Sequence, residues 1–395
     1  MPRHSGGEPL RPIEILHAAE TGIGGVNSVV IGLGQKQIGR LGEGSVHVLV
    51  PRNHAAEYAG TGIVTHVFER RLRSVRSFVA FTLCLAGLLL KLRPSFVILH
   101  SSFAGLAGRI VLALFWPWYR PVVIYCAHGW AFTMSVSAQR ARIFAGVERV
   151  LARLSSAIVC ISEAEYHAAI RFGLPTRRLH LVPNGTPRPD GAPCPNPYPS
   201  LDGTINLLFV GRLDRQKGID LLVTALTNAP FLPISLTVVG RAVTDPVKLE
   251  RLSNITYIDW LRPQDLAPYY AHADAVVVPS RWEGYGLVAA EAMSFGTPVV
   301  ASRIGGLATL VEDGVSGFLF DPASAGELHD VLSGLDRETL MGMRTAAFRR
   351  WEQVADIQDM ERRYFILMQS LAANGHRVKA IAAAADIVGS QAESR

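Results

Sequence analysis

The chain has 395 residues and a mass of 42.9 kDa, enough for two or three domains at roughly 150 residues each. Hydrophobic residues make up 49% of it and charged residues 18%, which excludes a disordered chain. The net charge of +6 is uneven: residues 1–185 carry 20 Lys+Arg against 9 Asp+Glu, and residues 186–395 carry 19 against 24. A basic half points to an anionic partner, either nucleic acid or anionic lipid. The four cysteines, at 84, 126, 160 and 194, form no C-x-x-C and have no His at zinc spacing. The first three sit in apolar runs and read as buried reduced thiols. The start, MPRHSGGEPLRP, has no apolar signal core, and the apolar run Ser77 to Leu90 is 14 residues, short of the ~20 of a membrane span. A cytoplasmic protein is expected.

Short Val- and Ile-rich runs alternate with longer amphipathic segments. The runs at 13–18, 46–50, 95–100, 122–127 and 157–162 show little polar alternation, as parallel strands do when helices cover both faces. Helices fit between them at 27–40, 76–92, 103–115, 138–153 and 163–172. The segment 186–203 then carries six prolines, which cannot donate to a sheet ladder, and reads as an interdomain linker. After it, strands at 205–211, 234–240, 255–259, 275–279 and 297–302 alternate with helices near 218–227, 264–272, 287–296, 324–335 and 338–350. The expected architecture is α/β, with two Rossmann-like doubly wound domains facing a cleft. The domains are 1–185 and 204–354, joined by the linker and followed by a terminal helix at 355–375.

Ligands of doubly wound sheets bind beyond the carboxyl ends of the strands, so the loops there matter most. The sharpest signal is SRWEGYGLVAAEAMSFGTPVVAS at 280–302. Glu283 follows a strand end, and Gly284, Tyr285, Gly286 and Leu287 open a helix that carries Glu291. Small glycines let backbone N–H groups approach an anion at a helix N-terminus. Two free carboxylates among small and aliphatic residues would be costly without a use. The second signal, LLFVGRLDRQKGIDLL at 207–222, puts Arg212 and Lys217 at a strand end beside another helix start. Arg offers phosphate oxygens a planar fork and Lys a compact charge. In GIGGV at 22–26, Gly24 and Gly25 form either a phosphate loop or a tight turn; the GxGxxG spacing is not met. In CAHGWAF at 126–132, His128 is either a cleft group or a packed histidine. In LHSSFAGLAGR at 99–109, His100, Ser101 and Arg109 either meet an acceptor or serve the helix start. PNG at 183–185 is turn chemistry.

EGYGLVAAEAM holds two Glu separated by seven residues, and GGV, HGWAF, PNG and VGRLDRQKG precede it in order. As a set these motifs resemble the retaining glycosyltransferases of GT-B fold called family four, over about residues 13–370. LHSSFAGLAGR with AHGWAF is similar to the branch that builds capsular and exopolysaccharide units on a lipid carrier. The resemblance implies that Arg212 and Lys217 bind the donor diphosphate, Glu283 the sugar hydroxyls and Glu291 the ribose. It implies that backbone N–H groups at 284–287 touch phosphate or sugar, that Gly24 and Gly25 approach the phosphate, and that His128 meets the donor sugar. The family often has a second Gly after the strand that ends here at Gly240; this chain has Arg241, which leaves donor and base selection open.

The function these signals imply is transfer of a hexose from a nucleotide-sugar donor to a glycan or lipid-linked acceptor, with retention, in surface polysaccharide assembly. No Asp-x-Asp triplet occurs, so no metal and no other cofactor is expected; protein cations and a helix N-terminus would stabilise the leaving diphosphate instead. The rival readings are a nucleotide-sugar epimerase or glycan phosphorylase of the same fold, and a non-catalytic membrane-docked subunit. Nucleic acid is not expected as a partner, because no aromatic-basic stacking motif appears. The segment 70–94 has Arg70, Arg71, Arg73 and Arg76 before its apolar run and Lys91 and Arg93 after it. It is either a helix lying on an anionic membrane surface, on the inner face of the cell membrane, or an ordinary core helix with solvated ends.

Overall fold

The computed structural model describes residues 14–21, 24–70, 74–134, 136–199, 203–242, 247, 250, 252–324 and 326–374. The first domain runs β1 Ile15–Ala19, α1 Gly25–Leu41, β2 Val46–Pro51, β3 Val64–Phe68, α2 Val75–Leu92, β4 Phe96–His100, α3 Ser101–Phe115, β5 Val122–Cys126, α4 Ala138–Leu151, β6 Ala157–Cys160, α5 Glu163–Arg171 and β7 Leu179–Leu181. The second runs β8 Ile205–Val210, α6 Ile219–Thr227, β9 Ile234–Val239, β10 Ile255–Ile258, α7 Pro263–His272, β11 Ala275–Val278, α8 Leu287–Ser294, β12 Val299–Ser302, α9 Leu307–Leu310, β13 Gly317–Phe320, α10 Glu327–Ser333 and α11 Arg337–Val354. A last helix, α12, spans Ile357–Asn374.

Each domain is one parallel sheet between helices. The orders are β3-β2-β1-β4-β5-β6-β7 and β10-β9-β8-β11-β12-β13. Both orders reverse beside their first strand, so each domain has a switch point, between β1 and β4 and between β8 and β11. Strand β4 shows why its sequence is apolar throughout. Phe96 and Ile98 enter the core on one face, with Val29, Leu33 and Tyr364. Val97 and Leu99 enter the core on the other, with Phe81, Leu85 and Ala104. The strands β3, β7 and β13 and the short α9 have no counterpart in the pattern read from the sequence. β3 is an edge strand with one fully buried residue out of five, so it lacks the doubly covered signature.

The Pro-rich segment is not a free tether. Tyr198 is buried, and its hydroxyl donates to the Tyr269 carbonyl of α7 at 2.9 Å. The chain crosses between domains twice, and the crossings touch. A Cβ added at Gly185 would lie 2.4 Å from the Ile357 Cα. Trp351 Nε1 donates to Thr186 Oγ1 at 2.8 Å beside them. Helix α12 then packs on α1, where Arg40 pairs with Glu361 at 2.6 Å and lies 4.5 Å from the Phe365 ring centre. Cys126 and Cys160 are buried, Cys84 and Cys194 half-buried, and all four are free thiols.

Helix α2 is longer than its apolar run. At 18 residues it is long and apolar enough, by length and composition, to cross a membrane. Phe81, Leu85 and Leu89 on its inner face are nevertheless fully buried in the first domain. Its outer face is apolar too: Val75, Val79, Leu83 and Leu90 are exposed, Leu83 to 67%. An ordinary core helix turns polar residues outward. Arg71 and Arg73 lie outside the described residues. Arg70 turns inward, with Nη2 3.5 Å from the buried carboxylate of Glu20.

Candidate active site

The residues singled out in the second domain converge at the β8–β11 switch point. Arg212 leaves the end of β8 and is held by Asp214 Oδ2 at 3.1 Å and Gln216 Oε1 at 2.5 Å. Gln216 Nε2 in turn donates to the Trp282 carbonyl at 3.3 Å. Lys217 donates its Nζ proton to Glu283 Oε2 at 2.5 Å, and the Ser280 hydroxyl reaches the same oxygen at 3.4 Å. The loops around them approach so closely that only glycine fits. Gly218 has φ +67, and a Cβ there would lie 1.8 Å from the Pro279 carbonyl. Gly286, with φ +101, opens α8 without a side-chain cap, and the first N–H groups of the helix have no intrahelical partner.

Glu291 lies on α8 and accepts from the Tyr270 hydroxyl at 2.8 Å. Burial pushes its carboxyl up, against the pull of Tyr270 and the Lys217 charge. The Tyr285 side chain is committed elsewhere: the ring is buried and its hydroxyl donates to the Val354 carbonyl at 2.9 Å. Sequence reasoning missed Gly305 and Gly306. Gly305 has φ +49, and a Cβ would meet the Glu283 carbonyl at 2.0 Å; at Gly306 it would meet the Tyr285 Cα at 2.5 Å. These two glycines seat the Glu283 loop. A Gly-Gly pair just after β12 was the available signal.

The first domain presents its own strand ends. Gly24, with φ +79, caps α1. A Cβ at Gly25 would lie 2.7 Å from Leu287 Cδ1, so this turn meets the start of α8 across the cleft. The Gly284 turn meets the first domain in the same way. A Cβ there would lie 3.6 Å from Gly129 Cα and 3.4 Å from Glu165 Oε1. Ser101 and His128 follow β4 and β5 with φ +76 and +53. Such conformations cost roughly 1–3 kcal/mol each and cluster where surrounding structure enforces them for a purpose. Burial pushes His128 down to about 4, so its imidazole is neutral at neutral pH.

Two expected acceptor contacts are corrected. His100 is fully buried, bonded through Nδ1 to His128 Nε2 at 2.8 Å and through Nε2 to His17 Nδ1 at 2.9 Å. Arg109 is fully buried as well, paired with Glu148 at 2.8 Å and stacked 3.9 Å from the Tyr125 ring centre. Neither side chain reaches the cleft surface. Ser101 stays at the strand end, half-buried, with a buried Oγ that has no partner among the described residues.

Glu165 was also missed. It is the acidic residue of a Ser162-x-x-Glu165 cap at the start of α5: Ser162 Oγ accepts from the Glu165 N–H at 3.2 Å, and Glu165 Oε2 from the Ile161 N–H at 3.1 Å. Burial pushes its carboxyl up to about 7, against the N–H groups of Ile161 and Gly129.

Known proteins share the family and the fold. Residues 23–188 match the family described as Glycosyltransferase Family 4, and residues 204–336 the family described as Glycosyl transferases group 1. The chain belongs to the family-four glycosyltransferases of GT-B fold. It is 29% identical over 332 residues to an uncharacterized 41.2 kDa protein of the cps region of Klebsiella pneumoniae, covering 81% of this chain and 89% of that one. It is 35% identical over 243 residues to a D-inositol 3-phosphate glycosyltransferase of Xylanimonas cellulosilytica, 53% of this chain and 57% of that protein's length. Among solved structures, the fold is shared with Anabaena HepE in complex with UDP-glucose (TM-score 0.75, 20% identity, 91% of this chain and 100% of that one). It is also shared with a sucrose-phosphate synthase of Thermosynechococcus elongatus (TM-score 0.76, 20% identity, 92% and 100%).

Proposed function

We propose that the protein transfers a hexosyl group from a nucleotide-sugar donor to a glycan or lipid-linked saccharide acceptor, with retention of configuration, in surface polysaccharide assembly. The observation that carries this reading is the Lys217–Glu283 pair beside Arg212 at one switch point, with the Gly25 turn of the other domain meeting Leu287 and its Gly129 meeting the Gly284 turn. In this reading Arg212, Lys217 and the N–H groups opening α8 stabilise the diphosphate as negative charge develops on it. Glu283 accepts from sugar hydroxyls and Glu291 from the ribose. The bond from the anomeric carbon to the diphosphate breaks, the acceptor oxygen bonds that carbon on the same face, and the acceptor proton passes to the departing phosphate oxygen. No protein nucleophile and no metal enters these steps. Closing the cleft excludes water and limits donor hydrolysis.

The cps-region relative supports a role in surface polysaccharide, and the UDP-glucose complex of HepE makes uridine diphosphate sugars the first donors to test. Purified protein is incubated with UDP-, GDP- and ADP-sugars and a lipid-linked saccharide, and the product anomer is read by NMR. Transfer with retained configuration is the expected result; inverted product, or release of free sugar alone, overturns the reading.

A lipid-linked acceptor calls for a membrane surface on the cytoplasmic side, and two helices support one. The outward aliphatic stripe of α2 is one of them. On α4, Ile143, Val147 and Val150 are exposed opposite the buried Ala141 and Ala145, with Phe144 beside them. Arg142, Arg149 and Arg153 form an adjacent exposed row, while the one acid of α4, Glu148, is buried with Arg109. Helices α2 and α4 bury their inner faces in the same core, so their outer faces look to one side. Apolar stripes rimmed by cations fit an anionic bilayer interface.

A further inference from the structure

We propose that His17 and His100 are positioning residues for His128, and that Gln37 sets, through them, which ring nitrogen of His128 carries the proton. The proposal deepens the reading of His128 as a ligand contact in the cleft and rests on it.

Three adjacent strands supply three histidines that form one chain: His17 within β1, His100 at the end of β4 and His128 just after β5. Gln37 Oε1 on α1 lies 2.8 Å from His17 Nε2. His17 Nδ1 lies 2.9 Å from His100 Nε2, and His100 Nδ1 lies 2.8 Å from His128 Nε2. The rings are stacked, with centres 5.2 and 5.1 Å apart and planes 10° and 25° from parallel. His17 and His100 are fully buried. His128 is half-buried, and among the described residues no partner reaches its Nδ1.

Proton counting follows from this geometry. A neutral imidazole carries one N–H, and each N···N contact needs one hydrogen between its two nitrogens. An amide oxygen only accepts, so His17 Nε2 donates to Gln37 and His17 Nδ1 must accept. His100 therefore donates from Nε2 and accepts at Nδ1. His128 donates from Nε2, which leaves its Nδ1 an acceptor at the cleft. Reversing the Gln37 amide reverses every bond and turns that Nδ1 into a donor. A mixed arrangement sets two lone pairs, or two protons, against each other in a buried site, at the cost of an unsatisfied buried group.

The surroundings choose between the two directions. Gln37 and Glu361 line one cavity between α1 and α12. Gln37 Nε2 is buried there without a partner among the described residues. Glu361 is ion-paired with Arg40, which lines the same cavity, yet its Oε1 keeps no hydrogen-bond partner among the described residues; this buried acceptor favours the amide's N–H₂ group on the cavity side, with the Gln37 Oε1 toward His17 as observed. Burial also holds all three rings neutral: His17 and His128 are pushed down to about 4, and His100 well below its ordinary range. The outcome is an imidazole with a fixed acceptor nitrogen, suited to a sugar hydroxyl that donates its proton. The same logic, in which the hydrogen bond at one ring nitrogen fixes the state of the other, operates in metal-bound histidines.

Two variants break the chain at different points, Gln37→Leu at its anchor and His17→Phe in its middle. Imidazole nitrogen and carbon NMR shifts of His128 are read in the full-length protein without donor or acceptor. Wild type shows a single Nε2–H tautomer at His128, and both variants show mixed tautomers. With donor and acceptor added, both lose kcat by ~10-fold, the scale typical of a lost supporting hydrogen bond, while UDP binding keeps its wild-type Kd. If Gln37→Leu and His17→Phe both leave the His128 tautomer single and unchanged, the chain does not set it and the proposal is overturned, whatever the activity. If the tautomers mix but His128→Ala turns over at the wild-type rate, the chain stands and the cleft role assigned to His128 is what fails.

Discussion

Lys217 Nζ and Glu283 Oε2 meet at 2.5 Å, joining two loops that follow different strands, β8 and β11. The pair holds a cation and a carboxylate side by side at the switch point, where each can turn to a different part of one ligand. Arg212 is oriented separately, by Asp214 and Gln216. Positions fixed in this way need no reorganisation as charge develops.

Replacing Lys217 or Arg212 by Ala should therefore lower kcat strongly and leave the fold intact. Loss of one preorganised donor costs ~3 kcal/mol, roughly a hundredfold. Steady-state kinetics and a thermal melt of each variant check this. Turnover in EDTA tests the expected independence of metal: a protein that dies in chelator and recovers with Mn or Mg removes the protein cations from their assigned role.

The two glutamates should separate. Glu283→Gln is expected to reduce transfer while leaving the affinity for free nucleotide diphosphate near wild type. Glu291→Gln is expected to weaken nucleotide binding itself. Calorimetric titration of both variants decides; equal loss of nucleotide affinity rejects the division.

Gly305→Ala should damage activity more than stability. The new methyl has to displace the Glu283 carbonyl, since it would otherwise sit 2.0 Å from it. A 1 Å misplacement of a reacting group can cost ~100-fold. Kinetics compared with the melting temperature test this, and unchanged turnover means the loop adapts without moving Glu283.

Acid should destabilise the protein between pH 6.5 and about 4. His17 is held down to about 4 when folded and titrates at the ordinary histidine value of 6.5 when unfolded. In that window the unfolded chain binds the extra proton, so stability is full above 6.5 and falls as pH drops toward 4, by roughly 3 kcal/mol for this one group. His100 and His128 act in the same direction. Glu165 acts in the opposite direction: pushed up to about 7, it favours the folded state at low pH and loses that contribution as pH rises through 7. Glu291, also pushed up by burial, acts as Glu165 does, and the three histidines outweigh the two carboxyls. Melting temperatures measured from pH 7.5 to 4 should fall with acid, and a flat profile contradicts the buried neutral chain.

The protein should co-sediment with anionic liposomes at low salt and be released by high salt. Leu83→Asp with Val147→Asp should abolish binding, because both side chains point outward and neither supports the core. Failure of the wild type to bind even at low salt would make a soluble acceptor the better reading.

Several features were readable because their causes are local. Strands covered on both faces must be apolar at every position, so β1, β2, β4, β5 and β6 stand out in the sequence by composition alone. A Gly-rich turn between a strand and a helix marks a site for an anion without reference to anything distant, which is how Arg212, Lys217, Glu283 and Glu291 came to notice. Edge strand β3 escaped because half-solvated residues lose that signature.

What only the tertiary structure decided depends on which strands are neighbours. His17, His100 and His128 are separated by 83 and 28 residues, and they meet because β1, β4 and β5 lie side by side in the sheet. The same order buries Arg109 against Glu148, 39 residues away, and removes it from the cleft. Gly305 reads as one turn among many until β12 brings it under the Glu283 carbonyl. Whether the apolar run of α2 faces inward or outward was likewise undetermined by composition. Its inner stripe fills the core, and its outer stripe stays uncovered because no element among the described residues packs over it.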